Sequence, residues 1–308
     1  MRASRRAIAA VFLAGALLGG LLVRLPAAVG SQEVLVSGRY SRVRADVGLD
    51  TLAHQAAALM DAAVPAAARV TGASDLSPVR AVVFGNRGPF SAATGVARGN
   101  PVVGLAVFPE QVIYLDGSGA FSSLSRVVPH EVGHVMEYRA AGAGAGALPR
   151  WFNEGVAEHV AGPTPAYVDA TALAGLRQGG TLPMAKLEAA FQDPDRVGLA
   201  YAESASLVEF LVQRKGEGVI AALLAEVRRG RDFPGALRDV AGLAPGEWEE
   251  AWQDSLRRRW FAAPDLNVLL WLAMVVLLLL AFVRMVRERR RRREEAEAEI
   301  AVEDHDYQ

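Results

Sequence analysis

The longest uncharged apolar stretch of the chain, Leu266–Val283, restricts its folding more than any other feature. Its 18 residues would form a helix about 27 Å long, close to the roughly 30 Å hydrocarbon thickness of a bilayer. The alternative is a buried core helix. Arg284 and the run Arg289–Arg293 follow the stretch, and such basic clusters stay on the cytoplasmic side of a membrane. The pattern predicts a transmembrane helix at 265–284 and a charged cytoplasmic tail at 285–308.

The N-terminal segment, residues 1–30, has the layout of a secretory signal. Basic residues lie between Arg2 and Arg6, an apolar stretch runs from Ala7 to Val23, and small residues follow at Ala28 and beyond. An uncleaved signal anchor is the alternative. Both ends of the chain therefore predict a single-pass protein of the cell membrane, with its main domain outside the cytoplasm and its C-terminus inside. The excess of arginine over lysine is common in proteins of GC-rich bacteria.

The composition excludes several classes of partner and site. The formal net charge is -1, which gives no indication of a nucleic-acid partner. The chain has no cysteine, so neither a disulfide nor a thiolate ligand can form. Any metal site must therefore be built from His, Asp or Glu side chains.

The hydrophobic pattern predicts an α+β fold, with a small mixed sheet followed by a helical half. Within an α/β subdomain at 31–118, the alternating sequence EVLVSGRYSRVRAD predicts a hairpin or a bent strand, and a helix follows that ends or kinks at Pro65. Residues 102–116 read as two further strands joined by a tight turn. From 119 to 262 the pattern is helical, and no internal repeat is present.

Two histidines in the helical half, His130 and His134, are four residues apart. On a helix this spacing places both imidazoles on one face, where they can bind one metal ion. Glu131 projects about 100° away from His130, so it is better placed to flank the ion as a general base than to bind it. Pro129 directly precedes His130, so we expect the helix to begin near 126–128 or to be kinked.

A third metal ligand has two candidates, Glu137 and Glu154. Glu137 lies about 10 Å along the helix axis from His130, too far to share an ion with both histidines. It is therefore interpreted as a surface residue or one that supports the ligands. Glu154 follows a flexible glycine-alanine connector at 140–149 and lies on a separate helix, together with Glu158 one turn later. Glu158 can accept a hydrogen bond from the non-ligating nitrogen of a metal-bound histidine.

The sequence HEVGH, followed after 19 residues by WFNEGVAEHV, resembles the gluzincin zinc metallopeptidases, which include thermolysin and the zinc aminopeptidases. It is most similar to the peptidase MA-like domains of bacterial membrane and secreted proteins. The resemblance implies a thermolysin-like helical half with His130, His134 and Glu154 as zinc ligands, Glu131 as base and Glu158 behind the first histidine. It also implies an oxyanion donor, for which Tyr201 is the candidate. The strand at 111–116 would pair with the substrate backbone.

The resemblance thus implies a membrane-anchored zinc peptidase that hydrolyses peptide bonds outside the cytoplasmic membrane by a zinc-activated water, with Glu131 as general base. Its expected partners are a peptide or protein substrate and the lipid bilayer. The alternative is a non-catalytic peptide-binding or scaffold protein that retains the metallopeptidase fold. A purely structural zinc is disfavoured, because such sites usually have four protein ligands, often cysteines.

Overall fold

The structure is a computed structural model that describes residues 33–100, 102–119, 124–162, 171–172, 175, 180–262 and 266–305. Side chains are described up to residue 259 and again for 270–291. The predicted signal segment, residues 1–30, lies outside the described residues.

The described residues form five strands: β1 (Glu33–Ser37), β2 (Ser41–Asp46), β3 (Val79–Phe84), β4 (Gly104–Val107) and β5 (Val112–Asp116). They also form ten α-helices: α1 (Asp50–Thr71), α2 (Arg87–Thr94), α3 (Leu124–Ala141), α4 (Arg150–Val160), α5 (Met184–Ala190), α6 (Val197–Lys215), α7 (Val219–Arg228), α8 (Phe233–Ala241), α9 (Pro245–Ala262) and α10 (Leu266–His305). A 3₁₀ helix at Gly142–Ala147 joins α3 to α4. The predicted α+β class is confirmed.

The five strands form one mixed sheet in the order β1-β2-β3-β5-β4. The pair β1–β2 is antiparallel, as the alternating sequence predicts, and β4–β5 is antiparallel as well. The central pairs β2–β3 and β3–β5 are parallel. Since β5 is paired on both sides, β4 is the edge strand at the end of the sheet that leads into the helical half.

The two faces of the sheet pack differently because successive side chains of a strand point to opposite faces. In β2, the buried residues Ser41, Val43 and Ala45 alternate with exposed ones, and α1 packs on this side. On the other face, Phe84 and Tyr114 stack against each other and cluster with Phe90 of α2. Helix α1 therefore packs on one face of the sheet and α2 on the other, and both helices come from the N-terminal half of the chain.

Helix α1 continues six residues beyond Pro65, so of the two predicted outcomes the helix does not end at this proline. The helix ends at Gly72, which takes the left-handed conformation that glycine adopts readily. Asp61 on α1 accepts hydrogen bonds from the amides of Arg39 and Tyr40 at 2.7 and 2.8 Å. This carboxylate fixes the β1–β2 turn to the helix.

The helical half is built around α3, which packs against α1, α4 and α7. The predicted flexible connector is instead an ordered 3₁₀ helix that packs on α7. A Cβ at Gly144 would lie 2.7 Å from the Val227 carbonyl oxygen, so glycine permits this close approach. Helix α4 in turn packs against α6. Ser206 of α6 also accepts a hydrogen bond from the indole of Trp252 on α9.

The chain forms two compact units, of which the first ends at Asp254 and the second begins at Ser255. The second unit contains α10. Within it, the helical segment Leu270–Arg291 contains a stretch that is long and apolar enough to cross a membrane, by length and composition. Its apolar side chains are exposed, unlike those of a buried core helix.

Candidate metal centre

Helix α3 brings the two predicted histidine ligands together. It begins at Leu124, two residues before the earliest predicted start, so Pro129 falls in its second turn. His130 and His134 are both buried, and their Nε2 atoms face each other at 3.2 Å. The i, i+4 spacing therefore directs both rings to one point.

Helix α4 delivers Glu154 to the same point. Its Oε2 atom lies 3.5 Å from Nε2 of His130 and 3.6 Å from Nε2 of His134, and the side chain is fully buried. Two glycines permit close helix contacts around Glu154. Gly133 lies where α3 meets α4, and Gly155 lies where α4 meets α6. A Cβ at Gly133 would lie 3.0 Å from Ala157 Cα, and one at Gly155 would lie 2.5 Å from the Ser204 carbonyl oxygen.

The three ligand atoms fit a tetrahedral metal ion. Bonds of about 2.0–2.2 Å place tetrahedral ligand atoms roughly 3.3–3.6 Å apart, which agrees with the observed triangle. Oε2 of Glu154 is buried and has no hydrogen-bond partner in the described part of the chain, since both imidazoles are too far away for a good hydrogen bond. An ion at the centre of the triangle would satisfy this oxygen.

The charges around the triangle also favour a cation. Burial opposes a charge on His130, but the carboxylates of Glu154 and Glu158 outweigh it and raise the His130 pKa to about 10. Burial likewise opposes the charge of Glu154, yet the two imidazoles hold its pKa at about 2. The cluster therefore stabilises positive charge at its centre, and binding of a divalent ion would release protons.

Glu131 lies beside the triangle, at the edge of the sheet. Its Oε2 accepts a hydrogen bond from the amide of Ala106 on β4 at 2.7 Å, whereas its buried Oε1 has no hydrogen-bond partner among the residues that the structure describes. Burial raises the pKa of Glu131. Gly104 makes room for this carboxylate, because a Cβ there would lie 3.0 Å from Oε1. One oxygen is thus held while the other remains available to exchange a proton.

Glu158 supports His130 from behind. Its Oε1 lies 3.1 Å from Nδ1 of His130, and its Oε2 pairs with Arg126. Sequence reasoning missed Arg126. Arg126 lies one helical turn before His130, and this spacing is the sequence feature that could have identified it as part of the site.

Tyr201, the candidate oxyanion donor, is buried in α6. A hydrogen bond joins its phenol to Arg150, and Nε of Arg150 lies 3.3 Å from Oε1 of Glu154. Burial, with the charge of Glu154, raises the pKa of Tyr201 well above its usual value. Arg150 was also missed, although it precedes Glu154 by one turn just as Arg126 precedes His130.

Two further residues of the motifs lie outside the triangle. Glu137 is buried rather than at the surface, and burial raises its pKa well above the usual value. His159 lies 3.4 Å from Glu209 and takes no part in the cluster. The predicted substrate strand also needs correction: residues 112–116 form the doubly paired β5, and among the described residues β4 is the edge strand at this end of the sheet.

The mixed sheet and the two motif helices together form a domain with a buried His-His-Glu group that could hold a metal ion. The sequence profile of the Peptidase MA superfamily matches residues 59–258, well over half of the 308-residue chain. The chain therefore belongs to the Peptidase MA superfamily, whose members are protease-type hydrolases and generally depend on a metal. No curated protein sequence matches the chain.

Proposed function

We propose that this protein is a membrane-anchored, zinc-dependent peptidase of the gluzincin type that hydrolyses peptide bonds outside the cytoplasmic membrane. One observation carries the proposal. Nε2 of His130, Nε2 of His134 and Oε2 of Glu154 converge at ligand spacing, with the carboxyl of Glu131 beside them. Three ligands and an adjacent carboxyl correspond to a catalytic site with one open coordination position, rather than to a closed structural site.

The donor set favours zinc among the common divalent ions. Calcium and magnesium prefer all-oxygen ligands, whereas two imidazoles and one carboxylate suit zinc. His130, His134 and Glu154 would hold the ion, and Glu158 would fix the His130 ring so that Nε2 faces it. When bound, zinc supplies Lewis-acid chemistry, lowering the pKa of a water molecule and polarising the substrate carbonyl.

Glu131 is positioned to move the proton in both halves of the reaction. The Ala106 amide holds Oε2, which leaves Oε1 to accept a proton from the attacking water. As the peptide C–N bond breaks, the same carboxyl returns that proton to the leaving amine. Its raised pKa brings the carboxyl closer to neutral pH, where both transfers are efficient.

Tyr201 is the proposed donor to the oxyanion that forms on the substrate carbonyl. Arginine only donates hydrogen bonds, so the bond from Arg150 to the phenol oxygen does not consume the phenol proton. Arg150 also approaches Glu154 and so connects the tyrosine to the ligand helix. A pre-positioned donor of this kind contributes to rate because it needs no reorganisation in the transition state.

The edge of β4 is the proposed substrate track. An extended peptide added there would continue the sheet, with its backbone amides and carbonyls paired to β4. The Ala106 amide, which holds Glu131, belongs to this strand. The substrate carbonyl would therefore be presented next to the proposed base.

The anchoring part of the proposal rests on α10. Its apolar segment is followed by arginines, which favours a cytoplasmic C-terminus. The peptidase domain precedes this helix and would then lie on the opposite side of the membrane.

The test uses the full-length protein purified in detergent. We expect about one zinc ion per chain, and a large loss of zinc in His134→Ala. Glu131→Gln should keep the zinc but lower cleavage of a peptide mixture by roughly 10²–10⁴-fold. A protein that binds zinc and peptides but shows no turnover in the wild type would instead be a non-catalytic binding protein. Turnover that is unaffected by Glu131→Gln would show that Glu131 is not the base.

A further inference from the structure

A small pocket, open to solvent on one side, lies next to the metal centre. Its walls include residues from α3, α4 and the segments around them: Phe108, His134, Glu137, Tyr138, Leu148 and Asn153. We call it the Glu137 pocket. His134 forms part of both the pocket and the ligand triangle, so the two sites are adjacent.

The polar atoms of the Glu137 pocket lack partners. Oε1 of Glu137 and Oδ1 of Asn153 are buried, and neither has a hydrogen-bond partner among the described residues. Glu137 is 3 % exposed, and it forms no ion pair within that part of the chain. Buried polar atoms in native proteins nearly always have a partner, so two orphaned acceptors in one pocket indicate a missing donor.

The chemistry of the walls restricts what that donor is. The carboxyl oxygen of Glu137 and the amide oxygen of Asn153 accept hydrogen bonds, so the occupant must bring N–H or O–H groups. A cationic occupant would also stabilise the charged form of the Glu137 carboxyl, which burial disfavours in the free pocket. Phe108 and Tyr138 stack at 4.6 Å and, with Leu148, supply an apolar wall suited to methylene groups. A primary ammonium is a compact cation with three donors, whereas a guanidinium is a wider planar group.

We propose that the Glu137 pocket binds a primary ammonium group of the substrate, which makes Glu137 and Asn153 specificity-determining residues. This inference rests on the proposed peptidase function. Glu137 lies one turn after the ligand His134, and Asn153 directly precedes the ligand Glu154. An ammonium held between them therefore fixes the substrate relative to the metal centre. The group is either the amino terminus of the peptide or a lysine side chain near the cleaved bond.

The two sources are distinguished with matched peptides and the full-length, zinc-loaded protein in detergent. One pair differs only in acetylation of the amino terminus, and the other only in replacement of lysine by norleucine. We expect kcat/KM to fall at least about tenfold in one pair, because the pocket oxygens lose their donor. The pair that responds identifies the source of the ammonium.

Glu137→Gln should abolish this preference, lowering kcat/KM for the ammonium-bearing peptide to about that of its neutral partner. Glu203→Gln is the matched control, since Glu203 is equally buried but bonds Leu182 instead of lining the pocket. It should retain the preference. The proposal is overturned if Glu137→Gln keeps the preference, or if it lowers kcat/KM equally for all four peptides.

A binding experiment separates failure of this inference from failure of the proposed function. In the Glu131→Gln protein, n-butylamine should bind more tightly than 1-butanol by calorimetry, and Glu137→Gln or Asn153→Ala should remove the difference. If the wild type cleaves no peptide but this difference is found, the peptidase function fails and the pocket assignment stands. Equal binding of amine and alcohol means that the pocket holds water only and overturns the inference.

Discussion

Oε1 of Glu158 lies 3.1 Å from Nδ1 of His130, while Nε2 of the same ring faces Glu154. The ring is therefore held between two carboxylates of one helix. A proton on Nδ1 is donated to Glu158, which leaves the lone pair of Nε2 for a metal ion. Arg126 pairs with the second oxygen of Glu158 and keeps that carboxylate charged. The metal affinity should thus depend on a residue that does not touch the ion.

Replacing Glu158 by alanine is expected to weaken zinc binding by about 10–100-fold, because His130 loses the group that fixes its tautomer and orientation. The zinc dissociation constant, measured by competition with a chelator, checks this. Glu209→Ala is the matched control, since Glu209 contacts His159 outside the cluster. An unchanged dissociation constant in the Glu158 variant would show that His130 needs no support.

Gly155 is expected to be indispensable for the contact between α4 and α6. A Cβ there would meet both the Ser204 carbonyl oxygen and Val208 Cγ2 at 2.5 Å, so Gly155→Ala must push the helices apart. We expect a loss of about 1–3 kcal/mol in the free energy of unfolding, together with weaker zinc binding, because Glu154 is the preceding residue. Thermal unfolding with and without zinc measures both effects.

Gly146→Ala serves as the control for that substitution, because a Cβ at this exposed glycine would meet nothing within 4 Å. Its unfolding temperature should match that of the wild type. If the two glycine variants behave alike, the close approach of α4 and α6 does not determine the stability of the domain.

Local patterns in the sequence predicted the fold well, and long-range contacts account for the errors. The alternation in residues 33–46 is a property of the strands themselves, so the β1–β2 hairpin is confirmed. The 3₁₀ helix was mistaken for a flexible connector, because its order comes from packing on Val227 of α7. The continuation of α1 through Pro65 likewise depends on its burial against the sheet and α3.

In the candidate site, too, local sequence patterns predicted some features, and long-range contacts determine the rest. Helical periodicity placed His130, His134 and Glu131 relative to one another, because all three lie on one helix. The edge position of β4 could not be read from sequence, since strand order is a long-range property. Arg126 pairs with Glu158 and Arg150 bonds Tyr201, and both of these partners lie on neighbouring helices. Only the spacing of the two arginines before His130 and Glu154 pointed to them.

Tyr201→Phe is expected to lower kcat by roughly 10²-fold, with little change in zinc content, if the phenol donates to the oxyanion. The substitution removes one oxygen and keeps the ring, which packs edge-on against Phe191 at 5.1 Å. Steady-state kinetics and zinc analysis of the same preparation measure both quantities. Tyr138→Phe is the control, because Tyr138 lies in the Glu137 pocket wall and contributes its ring there. Equal kcat values for Tyr201→Phe and wild type would remove Tyr201 from the mechanism.

Glu203 is expected to make the stability of the domain pH-dependent. Burial raises the pKa of Glu203 from 4.5 to about 8. The hydrogen bond from the Leu182 amide lowers this pKa, and the charge of Glu249 raises it further. The folded state therefore binds this proton more tightly than the unfolded state. Its stabilising effect is complete below pH 4.5 and is lost as the pH rises through 8.

Glu203→Gln keeps a neutral side chain at every pH, so its unfolding temperature should rise relative to wild type between pH 5 and pH 9. Exposed Glu188→Gln is the control and should follow the wild-type curve. Parallel curves for Glu203→Gln and wild type would show that the buried carboxyl does not hold its proton.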